Sequence, residues 1–179
     1  MNNIELKKTA KKLVSAFNKG TFIAPLSTKF TKNSKIANEL RKESEKLITS
    51  PVIGFKAGGT GKAALKAWGE KEPFYASIFK KNLLKSNGSV KINKYTLGIE
   101  LEVFFQIKKS FFNTNKKITE KNISSVISHV GPCIEIVGYR QKKKGVTCLG
   151  DLVSDFGANV KFLIGKKQKF KKLPFHNLA

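Results

Sequence analysis

Twelve acidic residues stand against 35 basic ones in this chain, and three of the twelve sit where an acid is least expected. Glu100 and Glu102 lie in GIELEVFF (98–105), and Glu135 lies in PCIEIVGYR (132–140). Ile99, Leu101, Val103, Phe104 and Phe105 mark the first run as a buried strand. Side chains alternate faces along a strand, so Glu100 and Glu102 point the same way. A carboxylate in apolar surroundings loses its hydration or takes up a proton, and a second carboxylate facing it opposes ionisation further. A divalent cation removes the difficulty. Hard oxygen ligands from two strands suit Mg²⁺ or Mn²⁺, with positions left open for substrate. The competing reading is a solvated sheet face on which lysines neutralise Glu100, Glu102 and Glu135, because alternation is also the ordinary antiparallel pattern.

Other candidates carry less. KAGGTGKAAL (56–65) has the look of a phosphate loop, with Gly61-Lys62 ahead of a helix. The pattern needs glycine five residues before Gly61 and Ser or Thr after Lys62, whereas Lys56 and Ala63 stand there. The glycines therefore read as a tight turn that allows close backbone approach. His129 falls near the end of an expected helix and His176 in the tail, and neither has a ligand partner at useful spacing. Trp68 reads as core. Arg140 suits either a substrate carboxylate or an ion pair with Asp151 or Asp155.

The elements that must position these groups follow from periodicity. Leu6, Ala10, Leu13, Val14 and Phe17 predict a helix over 4–19, and Ile36, Ala37, Leu40 and Leu47 predict another over 34–48. VIGFKAGGTG reads as a short strand entering a turn, and KAALKAWG as one or two helical turns. Short strands are predicted at 74–79 and 89–93, separated by the Asn87-Gly88 turn. The strand bearing Glu100 and Glu102 spans about 97–108. ITEKNISSVISHV (118–130) predicts a helix, PCIEIVGYR a buried strand, LGDLVSDFGAN helix and loop, and VKFLIG the last strand. The class is α+β: N-terminal helices against a mixed, curved sheet or roll.

At 179 residues, with 40% hydrophobic and 10% aromatic content, the chain has the makings of one globular domain with a real core. Within it, 1–50 reads as a helical segment, 51–165 as a β-rich catalytic-type region and 166–179 as a basic tail. No apolar stretch suffices to cross a membrane, and the N-terminus shows lysines without an apolar signal core. Cys133 and Cys148 form no CxxC pair, and a reduced, cytoplasmic setting is expected. The formal charge of +23 invites a polyanion-binding reading, with nucleic acid as the partner. Arginine is the better reader of phosphates and base edges, yet Arg41 and Arg140 are the only two, so a specific nucleic-acid site is not expected.

Taken in order, VIGFKAGGT, EPFYASIF, IELEVFF, CIEIVGYR and LVSDFGANVKFLIG resemble the 2-keto-4-pentenoate hydratase branch of the fumarylacetoacetate hydrolase superfamily. The resemblance implies a metal-dependent lyase acting on a 2-keto acid in aromatic-compound catabolism, as a homo-oligomer. It implies Glu100, Glu102 and Glu135 as ligands of Mg²⁺ or Mn²⁺, Lys56 and Asp155 as catalytic groups and Arg140 at the substrate. The cation would chelate the 2-keto carboxylate and stabilise its enolate while nearby groups move protons. Two departures stand out. Pro73 is followed by Phe74 rather than an acid, which leaves a related decarboxylase or C–C hydrolase open. The family's later strands also have no counterpart here, as in a C-terminally truncated copy.

Overall fold

The computed structural model describes residues 3–171 except 86, 114 and 116. The helical spacing noted above forms α1 (Asn3–Lys19), which buries Ala10, Leu13, Val14 and Ala16. A single turn, α2 (Thr28–Thr31), leads into α3 (Ser34–Glu45). Asn33 caps α3, its side-chain oxygen accepting from the backbone N–H groups of Lys35 and Ile36. A cap of this kind satisfies donors that the first helical turn leaves without partners. Leu13, Leu40, Phe30, Phe79 and Phe156 lie at the centre of the core that α1 and α3 build. Leu47, expected to point inward, is exposed, because α3 ends at Glu45 and the chain turns away.

Two antiparallel sheets follow the helices along the chain. β1 (Val52–Gly58) pairs with β2 (Phe74–Phe79), and α4 (Lys62–Ala67) lies between them in sequence. β3 (Thr96–Ile107) and β4 (Ile127–Gly138) form a long ladder. β5 (Asn159–Ile164) and the two-residue β6 (Gln168–Lys169) both pair with the other edge of β4. The fold is α+β as expected; among the described residues its parallel component is limited to two single bridges, Ile23–Gln141 and Leu83–Phe162.

Two expected elements differ. Residues 89–93 form no strand. The helix expected over 118–130 shrinks to one turn, α5 (Ile123–Val126), and Ile127 already begins β4. The Ile123–Ile127 spacing fits a helix, but pairing wins: Val130 lies opposite Phe105 and His129 opposite Gln106 in the β3 ladder. His129 is thus a strand residue, and His176 lies outside the described residues.

Trp68 is half-buried against a smaller cluster of Ala37, Leu149 and Val153. Leu149 and Val153 belong to α6 (Leu149–Ser154), which approaches α2 so closely that Gly150 admits no side chain. A β-carbon there would lie 1.7 Å from the Thr31 carbonyl oxygen.

Candidate metal centre

Alternation along β3 and its register with β4 decide which side chains meet. Glu100 lies directly opposite Glu135, Glu102 opposite Cys133, and Glu135 opposite Phe162 of β5. All five side chains therefore stand on one face of the sheet, while Ile99, Leu101 and Val103 stand on the other with Ile136, Ile134 and Pro132. One carboxylate oxygen from each of Glu100, Glu102 and Glu135 lies within 4.8 Å of the other two. Glu135, on the central strand, is 1% exposed, whereas Glu100 and Glu102 on the outer strand reach solvent.

Lys56 comes from the other sheet. Its Nζ donates to Glu135 Oε1 at 2.6 Å, and its side chain is 9% exposed. The Glu135 carboxyl is pushed up to about 7: burial is the largest cause, the Lys56 charge and hydrogen bond oppose it, and Glu100 and Glu102 add to it. Three carboxylates thus gather together with one ammonium group, bonded to Glu135, between them, leaving negative charge in excess. A compact, all-oxygen donor set with surplus negative charge fits a hard divalent cation. The same surroundings push the Cys133 thiol up to about 11, through burial first and then Glu135 and Glu102.

Beneath Lys56 runs a turn that the sequence did not announce. Phe156, Gly157 and Ala158 follow one another with φ of 55°, 67° and 57°. Left-handed backbone costs about 1–2 kcal/mol for a residue with a β-carbon. Hydrogen bonds hold the turn: Asn159 Nδ2 donates to the carbonyls of Phe156 and Ser77, and the Ala158 N–H donates to the Asp155 carbonyl. The glycine is needed for fit as well as conformation, since a β-carbon at 157 would lie 2.7 Å from Ala76 Cβ and 3.5 Å from Lys56 Cδ. FGA in LVSDFGAN was legible as a loop. Its left-handed course was not, because only one of its three residues is a glycine.

Asp155 and Arg140 bind each other rather than joining the three glutamates. Arg140 Nη1 donates to Asp155 Oδ1 at 3.1 Å, while the Arg140 backbone N–H and Gln141 Nε2 both donate to Oδ2. The guanidinium lies against the rings of Phe17 and Phe156, which pack on each other. Of the two partners read from the sequence for Arg140, Asp155 is the one it takes; Asp151 pairs with Lys143.

No family model matches the sequence, and no curated protein does so significantly. Among solved structures, the chain is similar to 4-oxalocrotonate decarboxylase from Pseudomonas putida G7 complexed with magnesium and adipate. The TM-score is 0.77 at 17% identity, covering 94% of this chain and 65% of that one. The same enzyme complexed with calcium and acetate matches with a TM-score of 0.73 at 16% identity, over 94% and 65% of the two chains. The chain described here therefore spans about two thirds of the length of the structures it matches, and what it shares with them is the fold.

Proposed function

We propose that this chain is a metal-dependent lyase of the fumarylacetoacetate hydrolase superfamily acting on a small 2-keto acid. The observation that carries the proposal is the convergence of Glu100, Glu102 and Glu135 within 4.8 Å of one another, with Lys56 hydrogen-bonded to the buried member. The three glutamates would hold Mg²⁺, with Mn²⁺ as a substitute. When bound, the cation supplies positive charge that polarises a chelating 2-keto carboxylate. Glu135 fixes the Lys56 ammonium group, and the left-handed turn at Gly157 supports the lysine stem. Lys56 is thereby placed to donate or receive a proton at the rim of the carboxylate cluster. The Arg140–Asp155 pair stands behind this region as a positioning element, through Phe156, whose ring it meets and which opens the turn.

Two chemistries share this machinery. Water addition is what the sequence resemblance implies. Decarboxylation is favoured by Phe74 after Pro73, where an acid would serve water addition, and by the decarboxylase whose fold the chain shares. Incubation with a 2-hydroxydienoic acid and, separately, with an unsaturated 2-keto diacid distinguishes them. Loss of the dienol absorbance marks the hydratase and release of carbon dioxide the decarboxylase. Either activity should require Mg²⁺ and vanish with a chelator. Absence of both, alongside tight and steeply salt-dependent nucleic-acid binding, would instead favour the basic polyanion binder.

The reading retains a homo-oligomer. Ile99, Leu101, Val103 and Phe105 expose an apolar row on β3, with Leu101 at 85%. A contiguous row of this kind is unusual for a surface that meets only water. Sedimentation of Leu101→Lys should show smaller species than the parent; unchanged sedimentation would remove the oligomer from the proposal.

A further inference from the structure

Away from the three glutamates, none of which is in its lining, lies a cavity of about 470 Å³. It is bounded by the end of α1, the 3₁₀ turn Lys80–Asn82, the loop at 91–96 and the ends of β4 and β5. Lys161 lies opposite Ile136, one residue from the Glu135–Phe162 pair, and its neighbour Val160 lines the cavity as well. Lys81, Lys91, Lys161 and Lys19 line the cavity together with Arg140, and no Asp or Glu does.

Arg140 is matched by Asp155, but among the described residues no carboxylate pairs with Lys81, Lys91 or Lys161. Lys161 Nζ donates to the Lys81 carbonyl at 2.7 Å, which holds the two lysines side by side. Lys81 Nζ in turn donates to Asn18 Oδ1 and lies 4.1 Å from the centre of the Phe17 ring. Burial first, and then neighbouring positive charge, holds both ammonium groups below their usual range. Gathering like charges in a concave site opposes folding unless an anion fills it. One wall is apolar: the rings of Phe22 and Tyr95 lie 4.5 Å apart at the mouth.

We propose that this cavity binds a small phosphorylated molecule bearing two or more phosphate charges. Lys81, Lys91 and Lys161 would contact the phosphates, and Phe22 and Tyr95 the body of the molecule. Three lysines gathered in one cavity with no acid in its lining suit a polyvalent anion, and lysine engages phosphate as a point charge without needing arginine's fork. The volume suits a small molecule rather than a polymer. This site uses none of the residues assigned to the metal centre and stands whether or not that assignment holds.

Calorimetric titration of the full chain with pyrophosphate and with ADP, in chelator and at fixed ionic strength, tests the proposal. Saturable one-to-one binding is expected, with ADP tighter than pyrophosphate because it reaches the aromatic wall. Citrate, a polyvalent carboxylate, should bind at least ten-fold more weakly than pyrophosphate; equal binding would overturn the phosphate assignment. Lys161→Gln and Lys91→Gln should each weaken pyrophosphate about ten-fold, while Lys109→Gln, away from the cavity, should not. Lys91 is an exposed loop residue, so its variant reports on binding without disturbing the core. Equal weakening by Lys91→Gln and Lys109→Gln would overturn the proposal, because it would show diffuse attraction by a highly charged surface. So would binding to single-stranded DNA that pyrophosphate cannot displace.

Discussion

Two buried acid–base pairs, Arg140–Asp155 and Lys56–Glu135, are built on opposite principles. At Asp155 the carboxylate is fully buried and accepts three hydrogen bonds, from Arg140 Nη1, the Arg140 backbone and Gln141. Arg140 also donates to the backbone carbonyls of Asp155 and Gly138 and lies against two aromatic rings. At Glu135 the burial is as deep, but a single ammonium group answers it, and two further carboxylates share its face. The first pair is saturated. The second has charge left over. Burying a carboxylate is tolerable when partners absorb it, so the saturated pair reads as architecture and the unsaturated one as a place where something binds.

The largest effect should come from breaking the saturated pair. Asp155→Ala leaves a buried guanidinium without its counter-ion, and removal of one partner from such a pair is destabilising by about 3–5 kcal/mol. Denaturant unfolding should show this loss with and without Mg²⁺. If Asp155→Ala instead retains parental stability, the contrast between the two pairs collapses.

The pair at Glu135 should respond in the opposite sense. Glu102→Gln removes repulsion between neighbouring carboxylates and leaves the Lys56–Glu135 pair intact, so the metal-free protein should be as stable as the parent or more so. Loss of several kcal/mol on Glu102→Gln would mean that this cluster is structural after all. The pH dependence sharpens the point. Because the folded-state carboxyl of Glu135 is raised from 4.5 to about 7, the folded chain binds that proton more tightly than the unfolded chain. Its contribution to stability is complete below about pH 4.5 and is lost as the pH rises towards 7. Thermal melts of metal-free parent and Glu135→Gln should therefore diverge over that window, the parent falling relative to the variant. Parallel curves would contradict the assigned shift.

The smallest effect concerns Cys133. Its thiol, pushed up to about 11 beside Glu135 and Glu102, should alkylate at pH 8 far more slowly than Cys148. Comparable rates for the two would place Cys133 outside the influence of the glutamates.

Much of this contrast was legible in the residues themselves. Acids isolated within aliphatic runs are rare enough that Glu100, Glu102 and Glu135 could be singled out, and strand alternation alone put the first two on one face. The α1 and α3 periodicities and the strands at 52–58, 74–79 and 96–107 followed from the same local rules. What pattern could not supply was long-range pairing. The 118–130 segment carries a helical spacing, and only the presence of β3 converts its second half into strand. Likewise, nothing local in Arg140 chooses Asp155 over Asp151. That choice comes from Gln141 and the backbone N–H converging on the same carboxylate, with Phe17 of α1 closing over the guanidinium. The left-handed turn at 156–158 is also a tertiary product, held by Asn159 reaching back to Phe156 and across to Ser77.

Titration calorimetry of Mg²⁺ into the full chain, beside Glu135→Gln, shows whether the three glutamates hold an ion. One ion per chain is expected for the parent, with protons released near pH 7 as Glu135 ionises to bind it. A stabilisation by mass action should follow, about 2.7 kcal/mol when the ion is present at a hundred times its dissociation constant. Glu135→Gln should show neither the heat nor the stabilisation. A parent chain that takes up no Mg²⁺ or Mn²⁺ at millimolar concentration, or a Glu135→Gln variant that binds as the parent does, would contradict the proposed metal site.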